Sequence, residues 1–466
     1  LRESLIPGTG ELSPRRRNIM KIYRDYDDLP KIKLPLGQEV SISDSTIRDG
    51  AQMPGIVVRS HHKVKIYEYL HRIGIEKLET FVYNERDRKA IKLMQDLGYE
   101  FPEITGWARA NPADIDMVLN VDGIEETGIL MSVSDPHIFD KMGLKSREAA
   151  EKKYLDALQY AVDHGLRTRA HIEDMTRADN YNFVFPLVRQ IMDIDPDCTI
   201  RICDTIGFGV PFEGVDEPYG FPAIIKHLRN ELSVKNIETH CHDDFGLAVP
   251  NSLAGYWHGA NWSNVTFLGI GERAGNAEME KILLFLMRRI EGFDKYNLEC
   301  LVEFGRFMEK EIGIRIPRNK SVVGNNVFAH ESGIHTAGVI KNPFTYEPYP
   351  PEIVGGKRTF LVGDSSGIEV LRYKVQEALN ELMNVQIEVD KNDKRLRDIQ
   401  ADIQKLYNED KRVSCISDEE ILAYVKKYFM FNPMVSKDMH RQDEDDNPQE
   451  APTGKFSRDP HLHGVD

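Results

Sequence analysis

No run of about 18 apolar residues occurs anywhere in the chain, so no membrane-spanning helix is expected. Cysteine is scarce: Cys198, Cys203, Cys241, Cys300 and Cys415 are scattered, odd in number and without a CxxC pair. That excludes a disulfide framework and suits reduced thiols in the cytoplasm. An excess of positive charge is also missing. With a formal net charge of −15, nucleic acid and anionic membranes are not expected partners. Anionic small molecules stay open, because a few arginines and a metal ion can dominate one cleft. The first residues, Leu1-Arg2-Glu3-Ser4, show no apolar stretch with a small-residue cleavage site, so no secretory signal is expected. The start without Met reads as a trimmed one.

What is present is an ordinary globular composition, 41% hydrophobic and 29% charged over 466 residues. That length suits a barrel of about 250 residues with smaller additions. Residues 1–40 read as an N-terminal arm, basic around Arg15–Arg17. From residue 41 short β-like runs alternate with amphipathic helical stretches such as Lys145–His164 and Tyr181–Met192. The runs are Val40–Thr46, Ile75–Phe81, Glu103–Ala108, Gly128–Val133, Arg167–His171, Thr199–Cys203, Asn236–Cys241 and Asn264–Leu268. Eight βα units predict an α/β fold, a (β/α)8 TIM barrel over 41–318. A doubly wound sheet ranks lower, because no GxGxxG loop follows the first strand. Beyond the barrel we expect a lid or linker at 319–375, a small helical subdomain at 376–435 and an acidic disordered tail at 436–466.

Reactive residues recur at the ends of these runs: Asp49, Glu79, Arg109, His137, Glu173, Thr205, His240 with His242, and Glu272. In a barrel such positions converge on one mouth. His240 and His242 are two apart on a strand, so both face one side while Cys241 faces away. Two imidazoles and a carboxylate suit a divalent metal; read alone, the pair could also be ordinary core histidines. Arg48-Asp49-Gly50-Ala51-Gln52 sets a guanidinium beside a possible third ligand, or only a surface ion pair. In Gly269-Ile270-Gly271-Glu272-Arg273-Ala274-Gly275-Asn276 the glycines permit close backbone approach, and Asn276 could offer its carbonyl oxygen to a metal or cap a helix. His330-Glu331-Ser332-Gly333-Ile334-His335, followed by Thr345-Tyr346-Glu347, could form a lid carrying proton-transfer groups, or a hydrogen-bonded linker.

The first three of these pieces resemble the DRE-TIM metallolyases, and the third and fourth together resemble the acyl-condensing branch: isopropylmalate, homocitrate and Re-type citrate synthases. The resemblance covers about residues 40–375. It implies an acyltransferase that condenses acetyl-CoA with a 2-oxo acid and releases CoA. It further implies a divalent metal (Mn2+, Co2+, Zn2+ or Mg2+) on Asp49, His240 and His242 with Asn276 near it. Arg48 would steady oxyanions, and Glu173, His335 and Tyr346 would form the proton relay. Gln52, Glu79, Arg109, His137, Arg169, His171 and Thr205, with Arg48, would line the substrate. A homodimer in the cytoplasm is implied as well.

Two features bear on the substrate. The family usually has Glu where Ala51 stands. Arg169, His171 and Glu173 share one face of the fifth strand, and an arginine there resembles the homocitrate synthase pattern for a distal carboxylate. A 2-oxo dicarboxylic acid is therefore expected. Oxaloacetate giving citrate is preferred, with 2-oxoglutarate giving homocitrate next, then isopropylmalate or citramalate synthesis, then a lyase on the same barrel. A metal-binding protein without turnover is the reading from another class. Leucine feedback is not expected, because no long regulatory region follows the lid.

Overall fold

A computed structural model describes residues 23–430. The arm before residue 23 and the acidic tail expected at 436–466 lie outside the described residues. Within those described, residues 23–330 with 334–360 form one compact unit, and residues 331–333 with 361–430 a second.

The first unit holds a closed barrel of eight parallel strands in sequence order. They are β1 (Ser41–Asp44), β2 (Lys77–Thr80), β3 (Glu103–Arg109), β4 (Glu126–Ser132), β5 (Arg167–Glu173), β6 (Thr199–Asp204), β7 (Asn236–Cys241) and β8 (Trp262–Val265). Helices α1 (Ser60–Ile73), α2 (Glu85–Gln95), α3 (Pro112–Leu119), α4 (Arg147–Asp163), α5 (Phe185–Ile194), α6 (Phe221–Lys226), α7 (Ala248–His258) and α8 (Met279–Arg289) follow the strands in turn. The seam closes where β1 pairs with β8, Ile42 opposite Ser263 and Asp44 opposite Val265. The expected eighth run began two residues late, because Trp262 and Ser263 belong to the ladder.

Helix starts follow side-chain chemistry. Asn84, Asn111 and Ser146 each accept a hydrogen bond from a backbone N–H in the first turn of α2, α3 and α4. Pro112 stands at the start of α3, where no N–H is needed.

Strand alternation divides the barrel into two layers. The outward residues Ile42, Leu78, Ala108, Ile129, Met131, Ala170, Ile172, Ile200, Ile202, Ile237 and Val265 are buried and apolar, in one core with the helices. The inward residues are polar: Ser43, Glu79, Arg169, His171, Arg201, Glu238, His240 and Asn264 are all buried. TIM-barrel interiors are ordinarily filled by branched aliphatic side chains. Here charge fills the interior, and burial is tolerable only because the charges pair.

After the barrel come α9 (Leu301–Phe307), a two-strand parallel ladder of β9 (Ala329–His330) with β10 (Thr359–Phe360), and α10 (Gly333–Lys341) between those strands. The second unit carries α11 (Ile368–Met383), α12 (Lys394–Asn408) and α13 (Asp418–Val425). Ser417 and Glu420 form a capping box at the start of α13. No helix among the described residues is long and apolar enough to cross a membrane.

Candidate active site

Asp49, just past β1, and His240 and His242, from the end of β7, are all buried, and their ligand atoms lie within 4.8 Å of one another. His240 Nε2 stands 3.4 Å from Asp49 Oδ2. The other ring nitrogen, His240 Nδ1, is 2.8 Å from Asn264 Oδ1. An amide oxygen only accepts, so Nδ1 carries the proton and the Nε2 lone pair faces Asp49. Asn264 is itself fixed: its oxygen accepts from Ser45 Oγ at 2.8 Å and its amide donates to Ser43 Oγ at 2.8 Å.

Asn276 donates its amide to Asp49 Oδ1 and to the Ile270 carbonyl, each at 3.1 Å, leaving its own Oδ1 buried without a partner. His242 Nδ1 is also buried without a partner. Two orphaned acceptors beside a carboxylate and a second imidazole fit a divalent ion in donor type and number. Burial would raise the Asp49 carboxyl, but Arg48, His240 and His242 hold it well below the usual range. Burial, then His240, pushes His242 down to about 4, so its ring is neutral and free to donate electrons at neutral pH.

The β8–α8 loop reaches the site because a glycine allows it: a Cβ on Gly271 would lie 2.2 Å from Asn276 Nδ2 and 3.2 Å from Asp49 Oδ1. Backbone bonds from Asp243 N to Gly275 O and from Ala277 N to Cys241 O, each 3.0 Å, zip this loop to the end of β7.

Arg48 lies between two carboxylates, donating to Asp49 at 2.8 Å and, through Nε, to Glu79 at 2.6 Å. Glu79 is the hub of the interior charges. It also takes Arg201 Nη1 at 2.9 Å and Arg169 Nη1 at 3.4 Å. Burial would raise its carboxyl, yet Arg201 and Arg48 hold it well below the ordinary value. Glu79 therefore positions Arg48 from a fully buried place, which differs from the substrate contact expected of it.

Glu173 at the end of β5 accepts from Ser132 Oγ, from Lys141 Nζ at 2.7 Å and stands 3.1 Å from His137 Nδ1. Burial would raise it, but the bonds from His137, Lys141 and Ser132 bring it down to about 2. His137 is thus tied to Glu173. Thr205 accepts from the Asp174 backbone N–H at 2.8 Å, and Gln52 is exposed after the first strand.

Two residues differ from the expected cleft contacts. Arg109 grips Asp114 with two bonds of 2.7 and 2.9 Å and covers the Tyr83 ring, its side chain 65% exposed. Arg169 is buried among Glu126, Glu238 at 3.1 Å and Glu79, so acids already surround it. His171 is buried beside Glu79, and burial with Arg201 pushes it down to about 3.

In the segment after the barrel, His335 and Tyr346 stack with ring centroids 4.0 Å apart. No hydrogen bond or ion pair among the described residues joins either to Glu173. His330 instead pairs with Glu347 at 2.9 Å, which Arg358 also holds. Sequence reasoning missed Asn264, Ser132, Lys141, Arg201 and Glu238. Their inward or strand-end positions were the available signal.

The HMGL-like family model matches residues 39–308. The chain belongs to this family. A second HMGL-associated model, described as homocitrate synthase post-HMGL domain-like, matches residues 322–411 and places the chain in the DRE-TIM synthase branch. A citrate (Re)-synthase of Clostridium kluyveri is 37% identical over 436 residues, covering 88% of this chain and 94% of its own. A probable 2-isopropylmalate synthase of Ignicoccus hospitalis is 38% identical over 365 residues (78% and 86%). A homocitrate synthase of Methanothermobacter thermautotrophicus is 35% identical over 369 residues (78% and 90%). The HMGL-like match ends at residue 308, ten residues short of the expected barrel boundary at 318.

Proposed function

We propose that this protein condenses acetyl-CoA with a 2-oxo acid and releases CoA, with oxaloacetate as the acid and citrate as the product. The condensation reading rests on the buried Asp49–His240–His242 cluster with Arg48 beside it, in a chain of the synthase branch. The choice of oxaloacetate rests on reach. Similarity to the citrate (Re)-synthase runs through 436 residues, against 365, 390 and 393 for three isopropylmalate synthases and 369 for the homocitrate synthase. His171, a bulky ring in the interior layer, agrees with the shorter diacid. Homocitrate formation from 2-oxoglutarate is the second reading, favoured by the match of residues 322–411 to the homocitrate synthase post-HMGL domain-like model.

Asp49, His240 and His242 would hold the metal, with the Asn276 carbonyl oxygen next to it. A divalent ion there supplies Lewis acidity toward a keto group. Arg48, anchored by Glu79, offers its guanidinium to the oxygen that gains charge as the new carbon–carbon bond forms. The acetyl methyl must lose a proton to a base. Glu173, held at about 2 by three donors, is a weak acceptor and serves better to orient His137 and Lys141. His335, stacked on Tyr346, takes the proton in this reading. Hydrolysis of the thioester then frees CoA as a thiol. A homodimer that presents each α10 segment to its partner's barrel completes the relay.

The test is CoA release, followed with a thiol reagent, on chelator-stripped protein resupplied with Mn2+, Co2+, Zn2+ or Mg2+. Oxaloacetate, 2-oxoglutarate, pyruvate and 3-methyl-2-oxobutanoate are offered separately. Fastest release with oxaloacetate is expected. Fastest release with 2-oxoglutarate would make it a homocitrate synthase, and no release with any acid would overturn the condensation reading.

A further inference from the structure

His335 and Tyr346 are both exposed, although their rings stack with centroids 4.0 Å apart. An exposed aromatic stack is a weak constraint, so the geometry of the pair must be set by what stands behind it. Behind Tyr346 stands its chain neighbour Glu347, which is buried. Arg358 grips that carboxylate with two parallel bonds, Nε to Oε1 at 2.7 Å and Nη2 to Oε2 at 2.6 Å, and His330 Nε2 donates to Oε1 at 2.9 Å. A carboxylate only accepts, so this His330 nitrogen carries the proton. Burial would raise the Glu347 carboxyl, but Arg358 and His330 hold it below the ordinary value, so it is charged at neutral pH.

The clamp draws on the two ends of one short ladder. His330 closes β9 opposite Phe360, and Arg358 directly precedes β10. The chain between them carries both His335 and Tyr346, and Glu347 pins it back to its own two ends. His330 also meets the pair itself, its ring centroid 6.2 Å from that of Tyr346 and 6.0 Å from that of Phe360. Tyr346 thus lies between a buried histidine and an exposed one. From the helix side, Gly338, one turn beyond His335 in α10, lets the chain close in: a Cβ there would lie 3.0 Å from Thr345 Oγ1. A bidentate guanidinium–carboxylate pair fixes direction as well as distance, which a surface turn of chain does not.

We propose that Glu347, clamped by Arg358 and His330, is a positioning residue that holds the Tyr346 ring against His335 in the arrangement proton transfer needs. This rests on the function proposed above, in which His335 takes the acetyl proton. Glu347 touches neither substrate nor metal in this role and acts through Tyr346 alone.

The test uses the full chain with histidine labelled by 13C at Cε1. The His335 signal is assigned by its loss in His335→Gln. In the native protein the face of Tyr346 shields it upfield, and Tyr346→Leu marks where it lies unshielded. Glu347→Ala and Arg358→Ala should each move the signal toward the unshielded place. They should also lower kcat for CoA release by about 100-fold, since a misplacement of about 1 Å can cost that much, while KM for oxaloacetate and Mn2+ affinity hold. Glu347→Gln, which keeps the shape and one acceptor oxygen, should recover part of both. A His335 signal that stays at its native place in Glu347→Ala and Arg358→Ala would show that the local turn suffices and overturn the proposal. A signal that moves while kcat holds would overturn it too. Should Glu347→Ala not fold, Arg358→Ala and Glu347→Gln decide by the same two readings. Absence of CoA release with every acid would sink the condensation reading, while the His335 signal would still decide whether Glu347 holds the pair.

Discussion

Asn264→Ala is the substitution that tests the metal centre with least damage around it. The native amide oxygen accepts from His240 Nδ1 and from Ser45 Oγ, each at 2.8 Å, and the amide nitrogen holds Ser43 Oγ. Alanine removes all of these at once. His240 is then free to carry its proton on either nitrogen and to rotate, so part of its population no longer points a lone pair at Asp49. Loss of a hydrogen bond behind a metal-bound imidazole costs about 10–100-fold in metal affinity. That corresponds to about 1.4–2.7 kcal/mol. Ser43 Oγ keeps its bond to Glu238 and Ser45 Oγ its longer contact with the Val265 carbonyl at 3.4 Å, so folding stability should fall by about 1–3 kcal/mol in all. The assay is competition for Zn2+ or Mn2+ against a chromogenic chelator at low temperature, where the variant stays folded, with a urea titration run alongside. Metal affinity within twofold of the native value would refute the argument that Asn264 sets the His240 tautomer.

His242→Ala should abolish metal-dependent CoA release while circular dichroism shows an intact barrel; unchanged turnover would end the assignment of that ligand. Gly128→Ala forces a Cβ to 2.3 Å from the His171 ring and should cost about 1–3 kcal/mol by denaturant titration, with a neutral result meaning that His171 can swing aside. Glu173 titrates at about 2 in the folded chain against about 4.3 when unfolded. Its contribution to stability is complete above the unfolded value and is lost as pH falls toward the folded one, so Glu173→Gln should flatten the acid limb of the stability curve between those pH values. A limb as steep as that of the native protein would show that other carboxylates govern it.

Much of this barrel could be read from alternation alone. Segments such as Thr199-Ile200-Arg201-Ile202 and Glu238-Thr239-His240-Cys241 place polar side chains on one face and less polar ones on the other. Buried parallel strands more often run apolar on both faces. The i and i+2 spacing correctly brought His240 and His242 together, and Asp49 joined them because the first strand closes on the last. Partners across the barrel were not legible, because they depend on strand tilt and stagger rather than on spacing along the chain. Hence Glu79 could be placed at a strand end but not recognised as the acceptor for Arg48, Arg169 and Arg201. The partner of Arg109 was missed for a nearer reason: Asp114, which binds it, lies five residues on in the next helix. The stretch His330–His335 read as a glycine-rich linker or lid, yet it contributes a strand of the two-strand ladder and begins a helix.

The seam between β1 and β8 has a consequence for how the protein is made. Asp49 leaves the ribosome with the first strand, His240 and His242 only with the seventh, and Asn276 after the eighth. No fragment shorter than nearly the whole barrel owns a complete ligand set. Metal captured at that moment would tie the earliest part of the barrel to the latest, in addition to the β1–β8 ladder. Nascent chains truncated before the seventh strand should therefore gain no protection from proteolysis when metal is added.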